Sequence, residues 1–375
     1  MHLGSILGFT LRLFQAVIYS VTRHLSEKQT GARRPLQILL FGILSLTLGI
    51  TEPVLAQSSG ATQVNKPKQS AQGNKSTVAQ KPKSANPKQV RTTVNRPKNP
   101  PPEAGRPSFA TAMGLRNQPD DLNLKSSVAM VVDQHSKEIL FEKNPDVSLP
   151  IASITKLMTA MVVLDSNAPL DEVLTITQED VKIYAKSRLS LGTKLTREEA
   201  LLLALMSSEN RASYLLARNY PGGAKAFVEA MNHKAYSLGM THSNFTDPTG
   251  LLATNVSTAE DLARMLVASY NYKLIREFSV WPDTTLVINK RPQVFLNTNR
   301  LVRAGDMEIG LQKTGFISAA GKCLVMQAKV NGLPLLLVFL DSVGTQSRFA
   351  DAVRVRDWIE SYQPGEPKAI RRLTM

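Results

Sequence analysis

The sequence is poor in residues that build disulfides and metal sites. Among 375 residues there is one cysteine, Cys323, so an intrachain disulfide is excluded. It lies in the strand-like run Cys323 to Val330, where a small core residue is the simplest interpretation. The five histidines form no H-x-x-x-H pattern or Cys/His cluster, so no metal site is expected. A Gly-rich phosphate loop is also missing, and we therefore predict no cofactor.

The apolar run of the N-terminal region is short for a membrane span. Arg33-Arg34 precedes the apolar run Leu36 to Ile50, and Glu52-Pro53 interrupts this run before about 20 apolar residues accumulate. Val54-Leu55-Ala56 then provides a small-residue cleavage site. We therefore predict an export signal over residues 1–56, with Gln57 as the mature start and the periplasm as the destination. The alternative is an uncleaved N-terminal membrane anchor.

Acidic residues are almost absent from residues 57–110, which carry ten lysines or arginines and only Glu103 as an acid. This stretch therefore holds +9 of the formal net charge of +15, so the charge does not indicate a nucleic-acid-binding domain. It is rich in Lys, Pro, Gln, Ser and Asn and has few large apolar residues, so we predict a disordered linker. The linker is either a solvated spacer or a tether that touches anionic wall polymer or a membrane surface.

The rest of the chain, residues 111–375, is predicted to be one α+β domain. Ordered sequence begins near Ser108, and a strand pair is predicted over residues 127–133 and 138–142. Helices follow, from Ser153 and from Ser257 among others, and the capping box Thr196-x-x-Glu199 opens one of them. Three strands come next, two of them joined at Asn331-Gly332, and a closing helix ends the domain. A mostly helical insertion therefore divides an antiparallel sheet.

Ser153-Ile-Thr-Lys156 stands at the start of an apolar helical run. Residues i and i+3 lie on one face of a helix, so the hydroxyl and the amine can meet. A serine needs an adjacent base to act as a nucleophile, and a lysine serves if burial or nearby positive charge lowers its pKa. The motif alone is weak, because most such pairs are an exposed serine and a solvated lysine.

Two further motifs follow in order, Ser208-x-Asn210 and Lys313-Thr314-Gly315. Together the three are the S-x-x-K, S-x-N and K-T-G signatures of penicillin-binding proteins and serine β-lactamases. Over about residues 120–362 the chain resembles the low-molecular-mass D-alanyl-D-alanine peptidases of serine peptidase family S11, and within them the endopeptidase (penicillin-binding protein 7) group. The resemblance implies a transpeptidase-like fold with a five-stranded antiparallel sheet flanked by helices. It also implies peptidoglycan stem peptides as substrate and β-lactams as inhibitors.

The resemblance assigns the chemistry residue by residue. Ser153 attacks the D-alanyl carbonyl and forms an acyl-enzyme, and Lys156 takes its proton. Ser208 relays the proton to the leaving amine, and Asn210 binds the substrate backbone or orients Lys156.

The third motif is expected to bind the substrate. Lys313 attracts the substrate carboxylate and Thr314 donates a hydroxyl to it, while Gly315 lets the substrate lie against the strand. The oxyanion hole is expected at the backbone N–H groups of Ser153 and Phe316.

Several neighbouring residues are interpreted as structural. Ser207 adjoins Ser208 and could replace it, although the family pattern favours Ser208. Glu209 is predicted to be solvated. Three residues of a turn-rich loop are attributed to loop geometry: Asn244, Asp247 and Gly250.

Alternative functions share the same site. A D,D-carboxypeptidase is the nearest, although only about sixty residues follow the third motif and the C-terminus is not an apolar anchor. A β-lactamase is less favoured because no E-x-x-L-N follows the second motif, where only Glu229 stands in a helix. A wall-binding module without activity would not need the motif residues.

Overall fold

The computed structural model describes residues 107–183, 187–361 and 371–374. All of them belong to one compact unit that spans residues 92–375. The predicted export signal and all but the last residues of the predicted linker lie outside the described residues, so both stay predictions. The first helix of the described residues is short and is capped by the side chain of Ser108. None of the helices in the described part is long and apolar enough to cross a membrane.

The described residues form twelve strands and ten α-helices. The strands are β1 Ser126–Asp133, β2 Glu138–Lys143, β3 Leu149–Pro150, β4 Val173–Thr175, β5 Lys194–Thr196, β6 Val256–Ser257, β7 Asp283–Ile288, β8 Arg291–Leu296, β9 Glu308–Ile317, β10 Gly321–Val330, β11 Leu333–Ser342 and β12 Arg371–Arg372. The helices are α1 Phe109–Ala112, α2 Lys156–Asp165, α3 Gln178–Ile183, α4 Arg197–Met206, α5 Asn210–Arg218, α6 Gly223–Ser237, α7 Ala259–Tyr270, α8 Lys273–Ser279, α9 Arg300–Ala304 and α10 Ser347–Glu360.

The main sheet joins the two ends of the domain. Its order is β12-β2-β1-β11-β10-β9, and every pair is antiparallel. The predicted five-stranded sheet, divided by a helical insertion, is thereby confirmed. The two-residue strand β12 extends it at the outer edge of β2. The predicted hairpin turn at Asn331-Gly332 is also confirmed, since both residues have positive φ, +48° and +81°.

Each face of the main sheet covers a hydrophobic core, because side chains alternate along a strand. On one face Val128, Met130 and Val132 pack with residues of helices α2, α4, α5, α6 and α7. On the other face Ala129 and Val131 pack with α10. Central strands buried on both faces explain why β1 reads as a nearly continuous apolar run. Cys323 is fully buried in the first core, as its apolar surroundings indicate.

Two capping boxes were predicted at helix starts in the insertion, and the structure confirms one of them. Thr196 and Glu199 form the predicted capping box of α4. The box predicted at Ser257 is wrong by one residue, because Thr258 caps α7 and accepts from the N–H of Asp261. Ser257 instead pairs with Leu149 between β3 and β6.

Strands β7 and β8 form a hairpin that the sequence analysis did not predict. Exposed residues alternate with more buried ones along β7, and Val287 and Val294 are among the exposed residues of the hairpin. The hairpin matters for the site because residues 297–299 after β8 run beside β9. There the hydroxyl of Thr298 lies 2.6 Å from that of Thr314.

Candidate active site

Ser153 lies in a tight turn rather than in a regular helix. Residues Ala152–Thr155 form a 3₁₀ helix, and α2 begins at Lys156, so the predicted helix start at Ser153 is wrong by three residues. Ala152 has φ +47°, which is unfavourable for a residue with a Cβ. The Thr155 hydroxyl stabilises the turn by donating to the Ala152 carbonyl at 2.8 Å. Non-glycine residues in this conformation are concentrated at functional sites.

Two glycines allow other segments to approach this turn. A Cβ on Gly250 would lie 1.8 Å from the Ala152 carbonyl oxygen, and a Cβ on Gly315 would lie 2.9 Å from the Ile151 oxygen and 3.2 Å from the Ser153 nitrogen. The sequence analysis explained the glycine at position 315 by the need for substrate to lie against the strand. The structure gives a further reason. Strand β9 can pack against the backbone of the nucleophile only if residue 315 has no side chain.

Gly250→Ala is expected to destabilise the domain by more than about 4 kcal/mol, because the new methyl group meets backbone atoms that cannot move away. Gly192→Ala is the matched control. Gly192 has the same φ, +78°, but its Cβ would meet nothing within 4 Å. It should therefore lose only about 1–2 kcal/mol, the cost of the left-handed conformation. Denaturant unfolding of both variants measures the difference. If both variants lost the same free energy of unfolding, the close approach at Gly250 would not contribute to stability.

The amine of Lys156 is fully buried and has three neighbours at hydrogen-bond distance. They are the Ser153 Oγ at 2.8 Å, the Asn210 Oδ1 at 2.7 Å and the Thr249 carbonyl at 2.7 Å. The last two are acceptors, so they take two N–H bonds. A neutral amine has only two N–H groups and one lone pair. Its lone pair then points at the Ser153 hydroxyl, which is the arrangement a general base requires.

The pKa of Lys156 is lowered to about 7, and burial is the cause. Asp247 and Glu209 oppose this shift, since their carboxylates favour the charged amine. Of the two causes that the sequence analysis allowed, burial or nearby positive charge, burial is the one that operates. Near neutral pH a substantial fraction of Lys156 is therefore neutral and able to accept a proton.

The second and third motifs meet at a hydrogen bond between Lys313 and Ser208. The Lys313 Nζ is fully buried and donates to the Ser208 Oγ at 2.9 Å and to the Thr314 carbonyl at 3.0 Å. The pKa of Lys313 is lowered, first by burial and then by repulsion from Lys156. The neighbouring Ser207 caps α4 and donates to the Leu203 carbonyl at 2.9 Å. The geometry thus selects Ser208, not Ser207, as the serine that faces the site.

Phe316 follows at the rim of the site, and its side chain is exposed. The amine of Lys322 on the paired strand β10 lies 3.9 Å from the centre of its ring, which is a cation–π contact. The backbone N–H of Phe316 as an oxyanion donor remains a prediction, as do the catalytic roles of the other motif residues.

One expectation about a neighbouring residue changes. Glu209 is buried rather than solvated, and it accepts hydrogen bonds from Ser187 and Arg188. Loop 244–251 also provides a group that the sequence analysis did not name, the Thr249 carbonyl, which accepts from Lys156. Asp247 shapes that loop by accepting from the N–H groups of Thr249 and Gly250. A backbone acceptor carries no side-chain signal, so the sequence could not identify it.

Arg348, at the start of α10, is a residue that the sequence analysis did not include in the site. Its Nε and Nη1 atoms are buried and have no hydrogen-bond acceptor among the described residues. Its charge acts on Lys313 and Lys322 and contributes to lowering the pKa of both. Arg348 thus adds positive charge that acts on both lysines. Together with Lys313 it suits an anionic group of a ligand.

Comparisons with known proteins agree with this geometry. The family model of D-alanyl-D-alanine carboxypeptidases, peptidase S11, matches residues 115–344. A D-alanyl-D-alanine endopeptidase of Pseudomonas aeruginosa is 49% identical over 264 residues, which are 68% of this chain and 84% of the relative. An Escherichia coli protein of the same name is 47% identical over 251 residues, 65% of this chain and 79% of the relative. The crystal structure of the Streptomyces K15 DD-transpeptidase aligns with a TM-score of 0.60 at 26% identity, covering 64% of this chain and 98% of that one.

Proposed function

Since the chain belongs to the D-alanyl-D-alanine carboxypeptidase family, peptidase S11, we propose that it cleaves D-alanyl–meso-diaminopimelate cross-links of peptidoglycan through an acyl-enzyme on Ser153. The chain is a serine-type D-alanyl-D-alanine endopeptidase of peptidoglycan, like the two relatives that are 47% and 49% identical to it. The contact between Ser153 and the buried, partly neutral amine of Lys156 is the observation that carries the mechanism.

Acylation follows from that contact. The Ser153 Oγ attacks the D-alanyl carbonyl carbon, its proton passes to the lone pair of Lys156, and a C–O bond forms. Two groups fix the orientation of the amine during this step, because Asn210 and Thr249 hold its N–H groups. In this proposal the backbone N–H groups of Ser153 and Phe316 donate hydrogen bonds to the oxyanion. Such donors are worth about 3–4 kcal/mol each.

The amide C–N bond then breaks, and the leaving amine must receive a proton. Ser208 is the proposed relay, and Lys313 holds its hydroxyl at 2.9 Å. The leaving diaminopimelyl group carries a carboxylate next to its amine, as a terminal D-alanine does. The cationic groups of Lys313 and Arg348, with the hydroxyl of Thr314, are proposed to bind that carboxylate. Water then hydrolyses the ester and releases Ser153.

The carboxypeptidase reaction is the second candidate, since the matching family model bears that description. Sequence identity favours the endopeptidase, because a carboxypeptidase of Bacillus subtilis is 28% identical to this chain. Rapid β-lactam hydrolysis lacks support. Glu229, the carboxylate considered for deacylation, is exposed on α6, and Lys156 has no contact with it among the described hydrogen bonds.

Defined muropeptides distinguish the two candidates. The purified protein is incubated with cross-linked dimers and, separately, with pentapeptide monomers, and dimer and free D-alanine are both quantified. We expect dimers to disappear without release of D-alanine. Release of D-alanine from pentapeptides, with dimers intact, would instead establish a carboxypeptidase. Stability of both substrates would refute the peptidase proposal.

Two further proposals concern residues outside the described ranges. We propose that the chain is exported to the periplasm through residues 1–56 and that the basic stretch 57–110 is a linker, either a solvated spacer or a tether that touches anionic wall polymer or a membrane surface. The charge of +9 on that stretch supports the second proposal.

A further inference from the structure

The proposed mechanism leaves the buried carboxylate of Glu209 without a role. Glu209 stands between Ser208 and Asn210 at the N-cap of α5, yet its side chain caps none of the helix N–H groups. Instead its Oε2 accepts from the Ser187 hydroxyl at 2.8 Å, and its Oε1 accepts from the Arg188 Nε at 3.3 Å. A carboxylate that is 7% exposed is costly unless it is paired, so these two contacts fix its position.

Arg188 extends the connection to the β7–β8 hairpin. Its Nη1 donates to the Val294 carbonyl at 2.6 Å, and its guanidinium lies 3.9 Å above the ring of the buried Phe295. Strand β8 leads directly to Thr298, which contacts Thr314. The ion pair therefore joins the Ser208–Asn210 turn to the strand that leads to Thr298, beside the third motif.

The turn needs such support because its backbone is strained. Ser208 has φ +60°, a conformation that is unfavourable for a residue with a side chain and persists only where the surroundings enforce it. Within the described part of the chain, the Ser208 hydroxyl takes part in one hydrogen bond, donated by Lys313. Glu209 is the next residue, so its anchoring restricts the backbone on the C-terminal side of Ser208.

We propose that Glu209 is a positioning residue of this site. Its carboxylate, held by Ser187 and Arg188, fastens the Ser208–Asn210 turn to strand β8. It thereby keeps the Ser208 hydroxyl beside Lys313 and the Asn210 amide on Lys156. The inference rests on the proposed function, because it assigns a role within the same reaction.

The charge of Glu209 has a second, separable effect. The charged groups that face Lys156 are Glu209 at the start of α5, Asp247 from the 244–251 loop and Lys313 on β9. Both carboxylates raise the pKa of Lys156 against the effect of burial. Removal of one negative charge should therefore lower the pKa of Lys156, so that the amine becomes neutral at a lower pH.

The test measures the rate of acylation by a fluorescent penicillin across pH, using the full-length chain. Glu209→Gln removes the charge and the ion pair, Glu209→Asp keeps the charge but shortens the side chain, and Arg188→Met removes the cation that joins β8. Glu277→Gln is the matched control, because Glu277 is a half-exposed carboxylate paired with Lys273 in α8, far along the chain from the motifs. Thermal unfolding reports the folded fraction of each variant.

In Glu209→Gln the maximal rate is expected to fall about ten- to hundredfold, as for a displacement of catalytic groups by about 1 Å. The midpoint of the pH profile should also move to lower pH. Glu209→Asp should lose rate while its midpoint stays at the wild-type value. Arg188→Met should lose rate without a lower midpoint, and Glu277→Gln should match the wild type in both.

A purely structural role for Glu209 would change only the folded fraction. The proposal is overturned if Glu209→Gln acylates within twofold of the wild type at every pH. It is also overturned if the loss of rate equals the loss of folded protein and the midpoint does not move. Failure of the wild type to react with penicillin would refute the proposed function instead, so the two failures are distinguishable.

Discussion

Ser153→Ala is expected to abolish acylation by labelled penicillin and to lower cross-link hydrolysis by about 10⁴-fold or more. A nucleophile has no substitute within such a site, and loss of one typically costs several orders of magnitude. The fold should survive, because Ser153 is only partly buried and the contacts of the turn are made by other residues, such as Thr155. Gel fluorescence measures the adduct, and muropeptide analysis measures hydrolysis.

Ser207→Ala is the control for this experiment. Among the described residues the Ser207 hydroxyl bonds only the Leu203 carbonyl in α4, so its removal should change acylation by less than about threefold. If Ser153→Ala still formed a stable adduct, the nucleophile would have to be another residue. The whole assignment of the first motif would then fail.

The second large effect concerns Lys156. Lys156→Met is expected to slow acylation by about 10³-fold or more, because general-base assistance and correct orientation are lost together. Lys156→Arg should be equally inactive, since a guanidinium remains protonated and offers no lone pair. Stopped-flow acylation with a fluorescent penicillin measures both rates, and Lys273→Met, at a highly exposed lysine, is the control.

The wild-type pH profile tests the same residue without mutation. The pKa of Lys156 lies near 7, well below its ordinary value of 10.5, so the neutral fraction rises as pH increases through that value. The acylation rate should therefore rise with pH on its acid limb and level off once the amine is neutral. A rate that falls as pH increases from 6 to 8 would mean that the charged amine is the active form, and Lys156 would not be the base.

The sequence was informative wherever a local pattern has a single physical outcome. Apolar runs and the Asn331-Gly332 turn predicted the strands, and the spacing of Ser153 and Lys156 predicted a contact that the structure shows at 2.8 Å. The sequence was less informative at element boundaries. The helix predicted to start at Ser153 begins three residues later, after a 3₁₀ turn against which Gly250 and Gly315 allow distant backbone to pack.

Contacts with buried polar groups were the hardest to foresee. A glutamate is normally solvated, and the sequence gives no sign that Glu209 is buried. Hydrogen bonds from Ser187 and Arg188 compensate for the loss of water around its carboxylate. The Thr249 carbonyl likewise acts on Lys156, which is distant in the chain. Two guanidinium nitrogens of Arg348 are buried without an acceptor among the described residues, which only the tertiary structure reveals. The residues in each of these contacts are too far apart in the sequence for a local pattern to predict the contact.

The sequence by itself determined the family, the α+β architecture and the identity of the motif residues, because these depend on residue types in a fixed order. Only the tertiary structure decided which protonation state those residues can adopt. Burial removes water from Lys156 and Lys313, while Glu209 and Asp247 oppose the shift for Lys156. A pKa depends on distances and on the exclusion of water, which exist only after distant segments have packed together.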